Sequence, residues 1–175
     1  ADLLERSLYN GFLSGVSLSG DRFFYPNPLA SDGEYAFNKG SAERAPWFGV
    51  ACCPGNMTRF LASVAGYVYA WQGDTLFVNL FVQGRGRVEL PGRTVQLRQV
   101  TRYPWEGSVK ITLQPSSAGE FTLAIRIPGW ARGEVAPGGL YSPLGDTPGG
   151  TEGSDPSPRD VALTVNGEAV ALNLE

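Results

Sequence analysis

A series of short alternating segments in the second half of the chain constrains its fold more than any other feature. In each segment apolar and polar residues alternate with a period of two, which is typical of strands with one buried face. The segments are residues 87–90, 94–101, 109–113 and 121–127. Short alternating strands at this spacing predict an antiparallel β-sandwich, to which we assign residues 73–175.

Three further segments complete this second part. Residues 75–82 form a more continuous apolar run, which predicts a strand buried on both faces. The segments 161–165 and 169–172 flank Asn166-Gly167, a pair favoured in two-residue turns, and predict a hairpin. Residues 131–160 are rich in Gly, Pro and Ser, and we expect a flexible loop there. The chain stops directly after the hairpin, so we expect the sandwich to be incomplete.

Residues 1–72 have a different character, with helical periodicity and one hairpin. Apolar side chains four residues apart predict a helix over residues 2–12. Residues 15–25 alternate about Ser19-Gly20-Asp21 and predict a hairpin, and residues 26–46 predict an irregular loop. A second helix is predicted after Asn56 by apolar residues on one face. They are Met57, Phe60, Leu61, Val64 and Val68.

The two cysteines of the sequence, Cys52 and Cys53, stand side by side at the start of this second helix. Pro54 suits the first helical position, which predicts Cys53 as the N-cap and Cys52 just before it. The free N–H groups and the dipole at a helix start lower a thiol pKa and favour thiolate, which attacks carbon and binds metals. Two alternatives stay open: a buried, unreactive pair, because free cysteine commonly packs as a small hydrophobe, and a vicinal disulfide.

Composition excludes several classes of function. A net charge of −3 gives no basic surface for nucleic acid or an anionic membrane, and no apolar run is long enough to span a bilayer. The sequence contains no histidine, the commonest general base and neutral metal ligand. Adjacent cysteines fit either a reducing compartment, with the cytoplasm favoured, or a metal-bound thiolate pair. The chain starts in mid-helix without methionine or signal peptide, so we expect a segment of a longer protein.

Several short motifs occur in a characteristic order along almost the whole chain. They are Leu8-Tyr9-Asn10-Gly11, Asp21-Arg22-Phe23-Phe24-Tyr25-Pro26-Asn27-Pro28-Leu29, Trp47-Phe48, Cys52-Cys53-Pro54-Gly55-Asn56, Val78-Asn79-Leu80-Phe81, Tyr103-Pro104-Trp105 and Ile127-Pro128-Gly129-Trp130-Ala131. This order resembles glycoside hydrolase family 127, the β-L-arabinofuranosidase family. The family more often has Cys-Cys-Pro-Pro-Asn, so Gly55 is a mild departure, and it leaves the thiols untouched.

The resemblance implies a mixed α and β fold that is mainly β. In the family an (α/α)6 barrel carries the active site and β-sandwich domains follow it, in a chain several times longer. Residues 1–72 resemble the last segment of that barrel, with its helices and a hairpin. Residues 73–175 resemble the adjoining, incomplete sandwich.

The resemblance also implies retaining hydrolysis of an oligosaccharide or glycoconjugate with a terminal β-L-arabinofuranosyl or similar sugar. Cys52 matches the nucleophile. Cys52 and Cys53 match two ligands of a Zn²⁺ ion, which keeps coordinated thiols deprotonated. A third cysteine and a glutamate complete the zinc site, and a separate glutamate is the general acid and base. We expect these groups before Ala1, so the 175 residues alone are predicted to be inactive.

Two aromatic residues are candidate substrate-binding groups by the same resemblance. Tyr25 stands where the family has a tyrosine near the sugar, although packing at the end of a hairpin strand explains it equally well. Trp47 is a candidate sugar-stacking platform, with a place in the core as its alternative. Neither Glu34 nor Glu43, in the loop before the cysteines, is assigned a role by a motif.

Other functions remain possible interpretations of the sequence. The main alternative is a non-catalytic carbohydrate-binding or structural β-sandwich module with incidental cysteines. Thiol redox chemistry or zinc transport fits less well, because the cysteines lack the Cys-x-x-Cys spacing. An oligomeric state is compatible with the sequence and is not specified by it.

Overall fold

The chain is described here by a computed structural model, which describes residues 1–132, 134 and 161–172. It divides into two units: Ala1 with Leu3–Arg126, and Asp2 with Ile127–Glu175. The described residues contain two α-helices and eight strands, so the mixed and mainly β composition is confirmed. The predicted flexible loop over residues 131–160 lies outside the described residues, apart from Ala131, Arg132 and Glu134.

The helical part of the first unit consists of two helices with irregular ends. Helix α1 (Asp2–Arg6) continues as a π-helical turn (Ser7–Phe12) and a 3₁₀ turn (Leu13–Gly15), so the predicted helix over residues 2–12 forms in mixed geometry. Helix α2 (Cys52–Ser63) is followed by a 3₁₀ turn (Val64–Tyr67). The rings of Phe12 and Phe60 lie 4.7 Å apart and pack the two helical segments together.

Between the helices, the predicted hairpin and irregular loop are both present. The hairpin is minimal: Val16 and Phe23 form an isolated bridge, and Gly20 takes a positive φ of 78° in the turn. Phe23 also forms an antiparallel bridge with Ala45, so the far end of the loop is paired with the hairpin. Because Phe23 is only 7% exposed, this bridge anchors both ends of the loop on a buried side chain.

Two three-stranded sheets form the rest of the first unit. The strands are β1 (Tyr69–Gln72), β2 (Thr75–Val78), β3 (Gly84–Leu90), β4 (Arg93–Thr101), β5 (Val109–Pro115) and β6 (Thr122–Ile125). One sheet has the order β1-β2-β6 and the other β3-β4-β5. Strand β1 pairs with β2 across the predicted boundary at residue 72, and the division into domains stays a prediction.

The expectation of a purely antiparallel sandwich is wrong at one pair, because β2 and β6 are parallel. Every other pair in these two sheets is antiparallel. Adjacent antiparallel strands can be joined by a hairpin, whereas parallel strands need a long crossover. Here the whole second sheet stands between β2 and β6 in the sequence, so the chain can re-enter the first sheet in the same direction.

One hydrophobic core receives side chains from both sheets. Its buried members are Leu76, Val78, Phe81, Val88, Leu90, Val95 and Leu97. The expectation that β2 is buried on both faces is wrong: Leu76 and Val78 are fully buried, whereas Thr75 and Phe77 are half-buried. The alternation in β2 shows that only one of its faces meets the opposite sheet.

A buried ion pair joins helix α1 to these sheets. The carboxylate of Glu5, only 4% exposed, accepts a hydrogen bond from the Arg126 guanidinium and another, of 2.6 Å, from the Tyr103 hydroxyl. Arg126 also donates from Nε to the carbonyl oxygen of Asn79, at 2.5 Å. The helix is therefore attached through a satisfied polar network as well as through apolar packing.

The described part of the second unit contains a 3₁₀ turn (Gly129–Arg132) and a hairpin of β7 (Leu163–Val165) and β8 (Glu168–Val170). Asn166 and Gly167 have φ values of 55° and 91°, the signs that a type I′ turn requires. The predicted Asn-Gly hairpin is therefore confirmed. Within the residues that the structure describes, none of the helices has the length and apolar character needed to cross a membrane.

Candidate functional site

The start of helix α2 places both thiols in its first turn. The N-cap is Ala51, so Cys52 and Cys53 are the first two helical residues and the predicted Cys53 cap is wrong. The turn closes when Gly55 donates its N–H to the carbonyl oxygen of Ala51, at 3.0 Å. Pro54 is tolerated at the third position because the N–H groups of a first helical turn have no intrahelical acceptors.

The hydroxyl of Tyr25 meets the first of these thiols. Its oxygen lies 2.8 Å from Cys52 Sγ, although the two residues are 27 positions apart in the sequence. Tyr25 ends the hairpin, and its backbone N–H donates to the side-chain oxygen of Asn38 at 2.7 Å. The structure therefore brings together two of the residues singled out in the sequence, Tyr25 and Cys52, through a contact that their spacing does not reveal.

The hydrogen bond with Tyr25 shifts the pKa values of the two thiols in different ways. It lowers the pKa of Cys52, with a further contribution from the contact with Cys53. The pKa of Cys53 is raised, first by its contact with Cys52, so the expectation that the helix start acidifies both thiols is wrong for Cys53. The hydrogen bond between Tyr25 and Cys52 raises the pKa of Tyr25 to about 12, which keeps the Tyr25 hydroxyl protonated as a donor. Of the two thiols, Cys52 therefore forms the thiolate more readily.

A cavity of about 350 Å³ opens beside the two thiols, within the size range of small-molecule sites. Its lining residues come from the π-helical and 3₁₀ turns after helix α1, the hairpin, the loop and the start of α2. They are Gly11, Phe12, Gly15, Phe24, Tyr25, Asn27, Cys52, Cys53, Asn56 and Met57. The side chain of Asn27 is fixed by donating to the carbonyl oxygen of Gly11 at 2.6 Å and to Ser14 Oγ at 2.9 Å. The cavity thus combines apolar walls with a few oriented polar groups.

The distance between the two thiol sulfurs is close to that of two sulfurs bound to one zinc ion. Cys52 Sγ and Cys53 Sγ are 3.6 Å apart, and both cysteines are free. Two sulfurs bound to one tetrahedral zinc at normal bond lengths are about 3.8 Å apart. Among the described residues, no cluster of three or more Cys, His, Asp or Glu side chains is suitable for a metal. The pair fits two of the four positions of a zinc site.

The other candidates from the sequence lie apart from this cavity. Trp47 is 56% exposed and does not line the cavity, so its substrate-binding role stays a prediction. Glu34 and Glu43 are exposed and do not line it either. Of the aromatic candidates, only Tyr25 lines the cavity.

Sequence reasoning did not find the residues that hold Tyr25 in place. The ring of Phe48 packs edge-on at 5.4 Å between centroids, and Lys39 Nζ lies 4.2 Å from the centre of the Tyr25 ring. Asn38 is 2% exposed and its amide nitrogen donates to the carbonyl oxygens of Phe23 and Glu43. The turn-forming composition of Asn38-Lys39-Gly40 was the available signal, since it marks a tight turn inside the irregular loop.

Comparison with protein families identifies the class of protein to which this site belongs. Residues 1–66 match the model described as the β-L-arabinofuranosidase GH127 catalytic domain, and residues 75–174 match the GH127 middle domain. Both models describe parts of glycoside hydrolases. The chain belongs to glycoside hydrolase family 127, and the resemblance seen in its motifs is confirmed.

Individual relatives support the same family. The non-reducing end β-L-arabinofuranosidase of Bifidobacterium longum subsp. longum is 37% identical over 142 residues, which are 76% of this chain and 21% of that protein. A solved GH127 β-arabinofuranosidase superposes with a TM-score of 0.81 at 42% identity, over 99% of this chain and 25% of that chain. The GH127 β-L-arabinofuranosidase of Geobacillus stearothermophilus T6 gives 0.71 and 39%, over 97% and 23%. This chain thus spans about a quarter or less of the length of each.

Proposed function

We propose that this chain is part of a retaining glycoside hydrolase that removes terminal β-L-arabinofuranosyl or similar residues from an oligosaccharide or glycoconjugate, with Cys52 as the nucleophile. The observation that carries the proposal is the 2.8 Å contact between the Tyr25 hydroxyl and Cys52 Sγ at the edge of the cavity. This contact favours the thiolate at Cys52, and the family gives the reaction class.

The proposed reaction has two displacement steps at the anomeric carbon. In the first, Cys52 Sγ forms a carbon–sulfur bond while the glycosidic carbon–oxygen bond breaks, and the leaving oxygen takes a proton from a general acid. In the second, water replaces the sulfur and gives its proton to the same group. The described residues beside the thiols include no carboxylate that lines the cavity, so we place the general acid and base in another part of the enzyme.

Tyr25 has a separate task in each step. Before the first step, when Cys52 carries no sugar, the Tyr25 hydroxyl orients its thiolate and stabilises the negative charge. When the sulfur leaves in the second step, negative charge returns to it, and the same hydroxyl is in place to stabilise that charge. Tyr25 therefore assists departure of the thiolate without itself exchanging a proton.

We also propose that Cys52 and Cys53 hold a zinc ion together with ligands from outside the described residues. The sulfur–sulfur distance of 3.6 Å and the free state of both thiols support this assignment. A bound zinc ion supplies positive charge that keeps thiols deprotonated at neutral pH. Zinc would also be expected to lower the raised pKa of Cys53.

Trapping the intermediate tests the nucleophile directly. The full-length enzyme is mixed with an aryl β-L-arabinofuranoside, quenched in acid within one turnover and digested for mass spectrometry. We expect the mass of one pentosyl group on the peptide with Cys52–Cys53, and fragmentation should place it on Cys52. A pentosyl group on Cys53, or on a carboxylate elsewhere, would contradict the assignment.

Substitution gives the second test. Cys52→Ala should reduce kcat by at least about a thousandfold, because it removes the nucleophile. Ser63→Ala, at the far end of the same helix and exposed, is the control and should retain wild-type kcat. Zinc content is measured on every variant, since loss of one ligand also weakens metal binding.

The 175 residues expressed alone should have no glycosidase activity. They contain no histidine, and their described residues place two thiols but no acid at the cavity. The measurement is turnover of the same aryl glycoside at high protein concentration, with the full-length enzyme as the positive control. Hydrolysis that is abolished by Cys52→Ala in this short chain would contradict the expectation.

A further inference from the structure

Lys39 is an exposed residue whose backbone and side chain are both unusual. Its φ of 55° lies in the left-handed region, which costs free energy for a residue with a side chain. The buried amide of Asn38, the residue before it, is hydrogen-bonded to the backbone of Phe23, Tyr25 and Glu43. The turn that carries Lys39 is therefore fixed to the hairpin that ends in Tyr25.

This conformation directs the side chain of Lys39 over the face of the Tyr25 ring. The distance from Nζ to the ring centre is 4.2 Å, well within the range of a cation–π interaction. Phe48 packs against the same ring edge-on, so the ring has one charged and one apolar neighbour. These two contacts restrict the position of the Tyr25 side chain and so the direction in which its hydroxyl points.

The Tyr25 hydroxyl points toward Cys52. The hydroxyl oxygen is 2.8 Å from Sγ, and a movement of the whole Tyr25 side chain away from Lys39 would lengthen this hydrogen bond. A cation above a phenol ring also withdraws electron density from it, which makes the O–H a stronger donor. Both effects act on the Cys52 thiolate through Tyr25, and the charge of Lys39 also acts directly on Cys53.

We propose that Lys39 is a positioning residue for the glycosidase reaction, which holds and polarises Tyr25 so that its hydroxyl is directed at Cys52. The proposal rests on the proposed function, because it assigns a reaction step to Cys52. Lys39 itself does not contact the thiols. Its effect is on the chemical step and not on substrate affinity.

Three substitutions in the full-length enzyme separate the charge of Lys39 from its backbone conformation. Lys39→Met keeps the length of the side chain without the charge, and Lys39→Arg keeps the charge. Lys39→Gly removes the side chain but relieves the left-handed backbone. The control is Lys110→Met, at an exposed position on β5.

We expect kcat to fall roughly two- to fivefold in Lys39→Met and Lys39→Gly with KM unchanged, as loss of one exposed cation–π contact predicts. Lys39→Arg and Lys110→Met should keep wild-type kcat. Wild-type kcat in Lys39→Gly would show that Lys39 serves only the turn, and a raised KM with unchanged kcat would show direct substrate binding. Either result would overturn the proposal.

Crystal structures of the same variants provide a readout that does not depend on activity. In Lys39→Met the Tyr25 side chain should shift, and the distance between its hydroxyl and Cys52 Sγ should lengthen from 2.8 Å without the complete loss of the hydrogen bond that Tyr25→Phe produces. An unmoved ring together with wild-type kcat would refute the role of Lys39 and leave the nucleophile unaffected. Retention of full kcat in Cys52→Ala would instead refute the proposed function, whatever the Lys39 variants do.

Discussion

The two sheets of the first unit bury Leu76, Val78 and Val95 completely, whereas the start of helix α2 leaves Cys52 exposed and Cys53 half-buried. The sheets are stabilised by many apolar contacts that have no preferred direction. The cysteine region is ordered by a few directional contacts, of which Tyr25 with Cys52 and Asn38 with three backbone groups are the chief examples. Substitutions in the first region should therefore change stability, and substitutions in the second should change reactivity.

The largest effect on stability is expected at Glu5, which attaches helix α1 to the sheets. Glu5→Ala removes a buried carboxylate that accepts from the Arg126 guanidinium, whose side chain is 13% exposed, and from the Tyr103 hydroxyl, and should cost about 3–5 kcal/mol. The measurement is urea unfolding followed by tryptophan fluorescence. Glu34→Ala, in the exposed loop, is the control and should leave the midpoint unchanged. Equal midpoints for both variants would show that the ion pair does not stabilise the attachment of helix α1 to the sheets.

The next effect tests the sheet core alone. Leu76 is fully buried, so Leu76→Ala should lower the free energy of unfolding by about 2–5 kcal/mol through lost burial and a residual cavity. Leu18→Ala makes the same change at a fully exposed position of the hairpin turn and should have almost no effect. A folded Leu76→Ala enzyme that lost as much kcat as Cys52→Ala would show that the sheet core also controls reactivity, and the separation of stability from reactivity would be wrong.

A smaller effect, on reactivity alone, is expected at Tyr25. Tyr25→Phe keeps the contacts of the ring with Lys39 and Phe48 but removes the hydrogen bond to Cys52. We expect kcat to fall roughly tenfold, the size typical of a lost hydrogen bond to a charged group, with no change in the urea midpoint. Tyr35→Phe, at a position that is 74% exposed, should match the wild type in both measurements. A lower midpoint without a change in kcat would make Tyr25 a packing residue.

The smallest effect concerns the surface of the sheets and depends on pH. A hydrogen bond from Thr94 and the charge of Arg87 lower the pKa of Glu89 in the folded state. A lowered folded pKa stabilises the fold above the unfolded pKa of the group, and this contribution is lost as the pH falls through the folded value.

Glu89→Gln should therefore reduce the melting temperature slightly at pH 7 and not at all at a pH below the folded pKa of Glu89. The exposed carboxylate Glu120, changed to glutamine, serves as the control at both pH values. If the melting temperature of Glu89→Gln were lowered by the same amount in acid as at pH 7, Glu89 would act through packing of its side chain and not through its charge.

The strands were largely predictable from the sequence because their alternation follows from one buried face. Strands β3, β4 and β5 begin and end within three residues of the alternating segments. Strand β1 was missed, since it directly follows a helical segment and lacks a polar alternation. The parallel pairing of β2 with β6 was also missed, because alternation within a strand contains no information about the direction of its neighbour.

For the candidate site, the sequence revealed the chemistry but not its geometry. The Cys52-Cys53-Pro54 start of a helix was recognisable because Pro and the apolar face define a helix locally. The contact of Tyr25 with Cys52 depends on how an irregular loop folds back, which no local periodicity describes. Lys39 was missed for the same reason, as its role depends on a left-handed backbone at a residue other than glycine.

The side chain of Asn38 has a consequence for how the loop before the cysteines can vary in length. Its amide connects the backbone at residues 23, 25 and 43, so residues 26–37 and 39–42 form two separately closed segments. An insertion between residues 28 and 36 changes only the exposed part of the longer segment, because Asn27 and Phe37 at its ends stay attached. An insertion into the shorter segment would displace Lys39 from the ring of Tyr25. Designed changes in loop length that are meant to leave the cavity intact therefore belong in residues 28–36.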